Sequence, residues 1–162
     1  MAKDKEIKTN AMRLLDRSHI SYRVIQYDCD VFTDGMDISL KTGIEPARSF
    51  KTLVTEGKSG AYYVFVLPVN LELDLKAAAR SAGEKSVEMI PVKDINKITG
   101  YVRGGCSPLG MKKQFATIVD SHALQYDEIS VSGGRIGSAI LIKPEDLIRV
   151  CGAKNAEIAV SD

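Results

Sequence analysis

The spacing of apolar residues changes often along this chain, and each change marks an element. Residues 5 to 18 place Ile7, Ala11, Leu14 and Leu15 on one helical face, among charged neighbours. YRVIQY (22–27) alternates and predicts a strand. DISLKT (37–42) predicts a short helix stopped by Gly43 and then Pro46. SFKTLVT (49–55) and AYYVFVLPV (61–69) predict two strands joined by the polar turn EGKSG. The second is apolar on both faces, as a central strand covered on both sides would be. LDLKAAARSAG (73–83) predicts a helix with Asp74 as N-cap and Gly83 just past its end. SVEMI is a short strand, and PVKDINKITG (91–100) a helix with a first-turn proline and a terminal glycine. FATIVD (115–120), EISVSGG (128–134) and IGSAILI (136–142) read as strands. KPEDLIRVCG (143–152) carries Pro, Glu and Asp in its first turn and Gly152 as its stop, a full set of helix signals.

This order is not a regular βαβα alternation, and several neighbouring strands have hairpin-length connections. The expected fold is α+β: a mixed, largely antiparallel sheet, curled toward a barrel, with helices packed around it. The 162 residues form one domain, 1–162, with no repeat and no linker. Hydrophobic residues make up 44%, enough for a sizeable core.

Charge and cysteine usage narrow the function. A net charge of +1 argues against a protein that coats nucleic acid by charge alone, and no DNA partner is expected. MAKDKEIKTN has no apolar core, so no signal peptide is expected, and no run approaches the ~18 residues of a membrane helix. Cys29, Cys106 and Cys151 are far apart and without a CxxC, which indicates neither a disulfide framework nor a zinc site. A cytoplasmic protein without metal or cofactor is the expectation.

There is no P-loop, no HExxH and no GxSxG. The two histidines, His19 and His122, have no orienting partner evident in the sequence around them. Two glycine-rich turns stand out, GGCSPLG (104–110) and SGGRIG (132–137), each after an expected strand. Glycine pairs let backbone amides approach a ligand and hold an oxygen on which charge develops; they also serve as plain tight turns needing positive φ. Lys51 shares a strand face with Ser49, Leu53 and Thr55. A lysine there is either a solvated side chain lying over apolar neighbours or a fixed positive charge in a cleft.

FKTLV (50–54), LPVNLELDLKAAARSAG (67–83), KSVEMI (85–90), ITGYVRGGCSPLGMKK (98–113), TIVD (117–120) and ISVSGGRIG (129–137) occur in one order along nearly the whole chain. In these segments, and in LLDRSHISYRVIQYD near the start, the sequence resembles the YbaK/EbsC family of aminoacyl-tRNA deacylases. These are relatives of the editing domain inserted in bacterial prolyl-tRNA synthetases. The resemblance implies that fold, and the removal in trans of cysteine wrongly attached to tRNA for proline, and sometimes to other tRNAs. It implies Lys51 as the most important residue. Tyr27, Thr52, Gly104 and Ser132 would surround the aminoacyl ester and the terminal adenosine, and Gly105, Ser107 and Gly133 of the two turns would bind substrate with them. The partners implied are aminoacyl-tRNA and prolyl-tRNA synthetase, which would supply part of the tRNA binding. Two departures stand out: Ala139 where some members carry an acid, and Cys106 where isoleucine or valine is frequent.

An aminoacyl ester is already reactive, so modest acceleration suffices. Lys51 and the Gly104–Gly105 amides would stabilise the carbonyl oxygen, with water or the substrate's own thiol as nucleophile. Arg103, Lys112, Lys113 and Arg135 flank the glycine turns, as a phosphate patch or a solvated rim. Two rival readings are a non-catalytic module that holds the aminoacyl or nucleotide end, and a hydrolase using Cys106.

Overall fold

The computed structural model describes residues 8–29 and 34–160. Thr9 caps α1 (Asn10–Arg17) by accepting a hydrogen bond from Met12 N. Ala11, Met12 and Leu15 bury that helix's inner face; residues 5–7 of the expected helix lie outside the described residues. β1 (Arg23–Gln26) follows. α2 (Gly35–Thr42) starts at Asp34, which accepts from Asp37 N, and stops at Gly43 with φ 78°. β2 (Phe50–Gly57) and β3 (Tyr62–Pro68) form the expected hairpin.

A two-residue strand, β4 (Glu72–Leu73), precedes α3 (Leu75–Ala82), capped by Asp74 and ended by Gly83. After β5 (Val87–Met89), the helix expected over 91–100 splits into a 3-10 turn, Val92–Asp94, and α4 (Ile95–Thr99). β6 (Ala116–Asp120), β7 (Ile129–Ser132), β8 (Ser138–Ile142) and α5 (Pro144–Cys151) stand as expected. Two short strands beyond α5, β9 (Lys154–Ala156) and β10 (Ala159–Val160), have no clear period in sequence.

The strands form a five-stranded sheet in the order β5-β2-β3-β6-β9, a three-stranded sheet β1-β8-β7, and the pair β10-β4. β3–β6 and β6–β9 are parallel and the other five pairings antiparallel, so the mixed, largely antiparallel character holds. Among the described residues no sheet closes on itself; the expected curl amounts to an isolated parallel bridge, Ser49–Ser130, between the two larger sheets. β3 is central and double-sided, as its apolar run requires. Val64 and Val66 enter the larger core, with Phe50, Val131 and Ile140, while Phe65 enters a second one with Ala78 and Ala79 of α3. No helix among the described residues is long and apolar enough to cross a membrane.

Candidate active site

The site begins where β2 runs out of partners. β5 pairs only with Thr55 to Gly57, so the first half of β2 has an open edge on the side away from β3. Ile90 N–H donates to Val54 O on that side at 3.1 Å. In an antiparallel ladder backbone groups alternate in direction, so Thr52 turns its N–H and C=O toward the same open edge.

A cavity of about 520 Å³ wraps this edge. All five residues from Phe50 to Val54 line it, and neighbouring side chains on a strand point to opposite faces. Lys51 therefore looks into it from one face of β2 and Thr52 from the other. Lys51 is half-buried and, among the described residues, has no hydrogen-bond or ion-pair partner. Thr52 Oγ1 is buried without a hydrogen-bond partner. An unpartnered buried hydroxyl is a cost to the free protein that a ligand can remove.

Tyr27, Gly104 and Ser132 line the same cavity, brought in from the end of β1, the first glycine turn and the end of β7. Burial pushes the Tyr27 phenol above its ordinary range. Ser132 Oγ accepts from Gly134 N at 3.2 Å, which fixes the second turn beside the wall. Five of the sequence-derived positions thus converge. Gly105, Ser107 and Gly133 lie behind this wall and do not line the cavity. Ser107 is fully buried and accepts from Leu109 N. Gly133 is bonded through N–H to Ser138 O at 2.8 Å. Gly105 N–H donates to Val102 O at 2.9 Å, so the amide pair expected at the ester reduces to that of Gly104.

Both turns need their glycines for close approach. A Cβ on Gly105 would stand 2.8 Å from Arg135 Cα, so the two turns touch backbone to backbone. The segment before Gly104 is not the strand expected: Tyr101 is buried and donates through its hydroxyl to Leu109 O at 2.6 Å, bracing the first turn from within.

Cys106 also lines the cavity, and burial pushes its thiol up to about 11. A nucleophilic cysteine needs the thiolate at neutral pH, so this environment disfavours a Cys106 hydrolase. Ala139, 2% exposed, leaves no acid at its place in the wall. Asp34 is the one carboxylate in the lining among the described residues, and it accepts the capping bond of α2. His122 does have an orienting partner that the sequence reading missed, Asp120 two residues earlier, but neither lines the cavity. Among the described residues no group of three His, Cys, Asp or Glu is placed to hold a metal ion.

Sequence reasoning also missed the apolar lining, which includes Met36 and Ile38 of α2 and Ile95 of α4. Their helical spacing gives no hint that they border a cavity rather than plain core.

The family model for the aminoacyl-tRNA editing domain matches residues 37–150. The chain is 42% identical, over the whole of both chains, to EbsC of Enterococcus faecalis, whose name carries a provisional assignment as a Cys-tRNA(Pro)/Cys-tRNA(Cys) deacylase. This chain belongs to the aminoacyl-tRNA editing domain family. A more distant relative of this editing domain is the multifunctional Ser/Thr-tRNA deacylase ProXp-y of Escherichia coli, 19% identical over 93% of this chain and 91% of that one. The fold recurs in the crystal structure of the hypothetical protein APE2540, with a TM-score of 0.86 at 20% identity, covering 93% of this chain and 99% of that one. It recurs again, with a TM-score of 0.81 at 23% identity, in a protein provisionally described as a trans-editing enzyme for prolyl tRNA synthetase; 96% of this chain and 100% of that one are covered.

Proposed function

We propose that this editing domain is a trans-editing deacylase that hydrolyses the ester of mischarged Cys-tRNA(Pro), with Cys-tRNA(Cys) as a second substrate. One observation carries the reading: Lys51 stands half-buried and unpartnered in a cavity that Tyr27, Thr52, Gly104 and Ser132 also line. The likeness to EbsC supports the substrate. Prolyl-tRNA synthetase is the partner that would hand over the tRNA, since a chain of net charge +1 grips RNA weakly by itself. That reaction belongs to translation in the cytoplasm.

Lys51 and the Gly104 amide stabilise the carbonyl oxygen as negative charge develops on it. Among the described residues the lining offers no histidine and one carboxylate, Asp34, which caps a helix. A protein base is therefore scarce, and this favours the substrate's own thiol as nucleophile. Its sulfur bonds to the ester carbonyl carbon, the bond from that carbon to the ribose oxygen breaks, and the thiol proton ends on the ribose oxygen. Water then opens the released thiolactone to cysteine. The route selects cysteine without any side-chain pocket, because other amino acids lack the attacking group.

The test is deacylation of Cys-tRNA(Pro), Ala-tRNA(Pro) and Pro-tRNA(Pro) by wild type and Lys51→Ala. Loss of cysteine alone, slowed at least about 100-fold in the variant, is the expected result. Trapping a thiolactone before free cysteine supports the thiol route, and free cysteine as first product directs the attack to water. Full activity of Lys51→Ala overturns the assigned role. No release from any substrate, with or without the synthetase, favours a binding module.

A further inference from the structure

Lys51 and Arg135 differ from every other basic residue described. Each of the others is either exposed or, like Arg48 with Glu45 at 3.2 Å, held by a carboxylate. Among the described basic residues, only the side chains of Lys51 and Arg135 combine partial burial with no hydrogen-bond or ion-pair partner. The Nε of Arg135, like that of Arg48, is buried without a hydrogen-bond partner, but Arg135 has no carboxylate beside it as Arg48 has Glu45. A guanidinium keeps its charge at any ordinary pH, so it cannot escape this by losing a proton. Such a group is held ready for an anion that the protein itself does not supply.

Its place in the fold says which anion. Arg135 sits at the seam of the two glycine turns, its Cα 2.8 Å from where a Gly105 Cβ would be. Gly104 and Cys106 on one side of the seam line the cavity, as do Ser132 and Ser138 on the other. Arg135 does not, so its ligand lies just outside the cavity wall. A nucleoside seated in the cavity with its 5′ carbon toward this seam would carry its phosphate to that position. The planar fork of a guanidinium suits a phosphate's paired oxygens.

We infer that Arg135 binds the phosphate linking the terminal nucleotide of an RNA 3′ end to the rest of the strand. This rests on the deacylase reading for its substrate. It also separates Arg135 from Lys112 and Lys113, which are exposed, Lys112 donating to Lys97 O at 3.1 Å.

The test uses the full chain and two probes, adenosine 5′-monophosphate and adenosine, titrated by NMR. Wild type should bind the phosphorylated probe about tenfold more tightly or better. Arg135→Gln should remove that preference, while Lys58→Gln, in the β2–β3 turn, should keep it. Arg135→Lys, with the charge but not the fork, should fall between and serves if the glutamine variant fails to fold. With esters, Arg135→Gln should lower kcat/KM about tenfold or more on aminoacyl-tRNA and leave aminoacyl-adenosine, which lacks the phosphate, unaffected. A wild type indifferent to the phosphate, or an Arg135→Gln variant that keeps the preference, overturns the assignment. If wild type binds the phosphate through Arg135 but cleaves no ester, the site stands and the deacylase reading falls.

Discussion

The Thr9 hydroxyl donates a 2.6 Å hydrogen bond to the carbonyl of Gly133, 124 residues away. The same oxygen accepts from Met12 N and so caps α1. One side chain thus ends a helix and pins the second glycine turn behind the cavity wall. Gly110, at the end of the first turn, packs against the same helix start, where a Cβ would lie 2.7 Å from Asn10 C. The two turns are held in register by α1.

Thr9→Val keeps the shape and removes both bonds. A stability loss of about 1–2 kcal/mol is expected, a fall in thermal midpoint of roughly 3–6 °C. Thr9→Ser should recover most of it. Circular dichroism melts check both, and an unchanged midpoint in the valine variant would refute the double role.

Thr52→Val should separate stability from activity. Thr52 Oγ1 is buried with no partner, so replacing it by a methyl group should leave the unfolding free energy unchanged or raise it by a few tenths to about 1 kcal/mol. The deacylation rate should fall about tenfold, the loss of one hydrogen bond to substrate. A variant that loses stability and keeps full activity would mean the hydroxyl serves the fold alone.

Gly105→Ala forces the turns apart, since the new Cβ meets backbone atoms of Arg135 and Ile136 at 2.8–2.9 Å. A loss of about 1–3 kcal/mol is expected in urea unfolding, together with reduced activity in the fraction that stays folded. Tolerance of alanine would show that the turns can slide, and that their spacing does not shape the cavity.

Alkaline titration carries a sign that burial fixes. Cys106 is pushed up to about 11, and Tyr101 and Cys151 to about 12, in each case chiefly by burial. Folding favours the neutral forms, whereas the unfolded chain ionises at its ordinary values. Stability from these groups is complete below about pH 9 and is lost as pH rises from there toward about 12. Unfolding midpoints across pH 8 to 11 should fall only in the upper half of the range. At pH 7.5, Cys106 should react slowly with iodoacetamide, and Cys106→Ser should keep deacylation; a fast-reacting thiol essential for activity would restore the cysteine-hydrolase reading.

Much of the fold was legible because its signals are local. Asp74 and Gly83 bracket α3 through their own capping bonds and φ of 73°, which depend on a few neighbouring residues. The doubly apolar run of β3 required cover on both faces wherever the strand lay. The short strands β4, β9 and β10 were not legible. Two or three residues give no period, and they are strands only because β10 meets β4 and β9 meets β6.

The candidate site divides along the same line. The sequence by itself determined the residue types, the motif order and the strand that carries Lys51 and Thr52. It also determined that glycines would make the two turns. Only the tertiary structure decided which of them share a cavity. Gly104 faces it while Gly105 is spent within its turn, Ser132 faces it while Gly133 backs onto Ser138, and Arg135 is left half-buried without a counter-charge. The physical reason is that conformation and capping act over a few residues, whereas burial, pairing and an open strand edge depend on contacts between segments far apart in the chain.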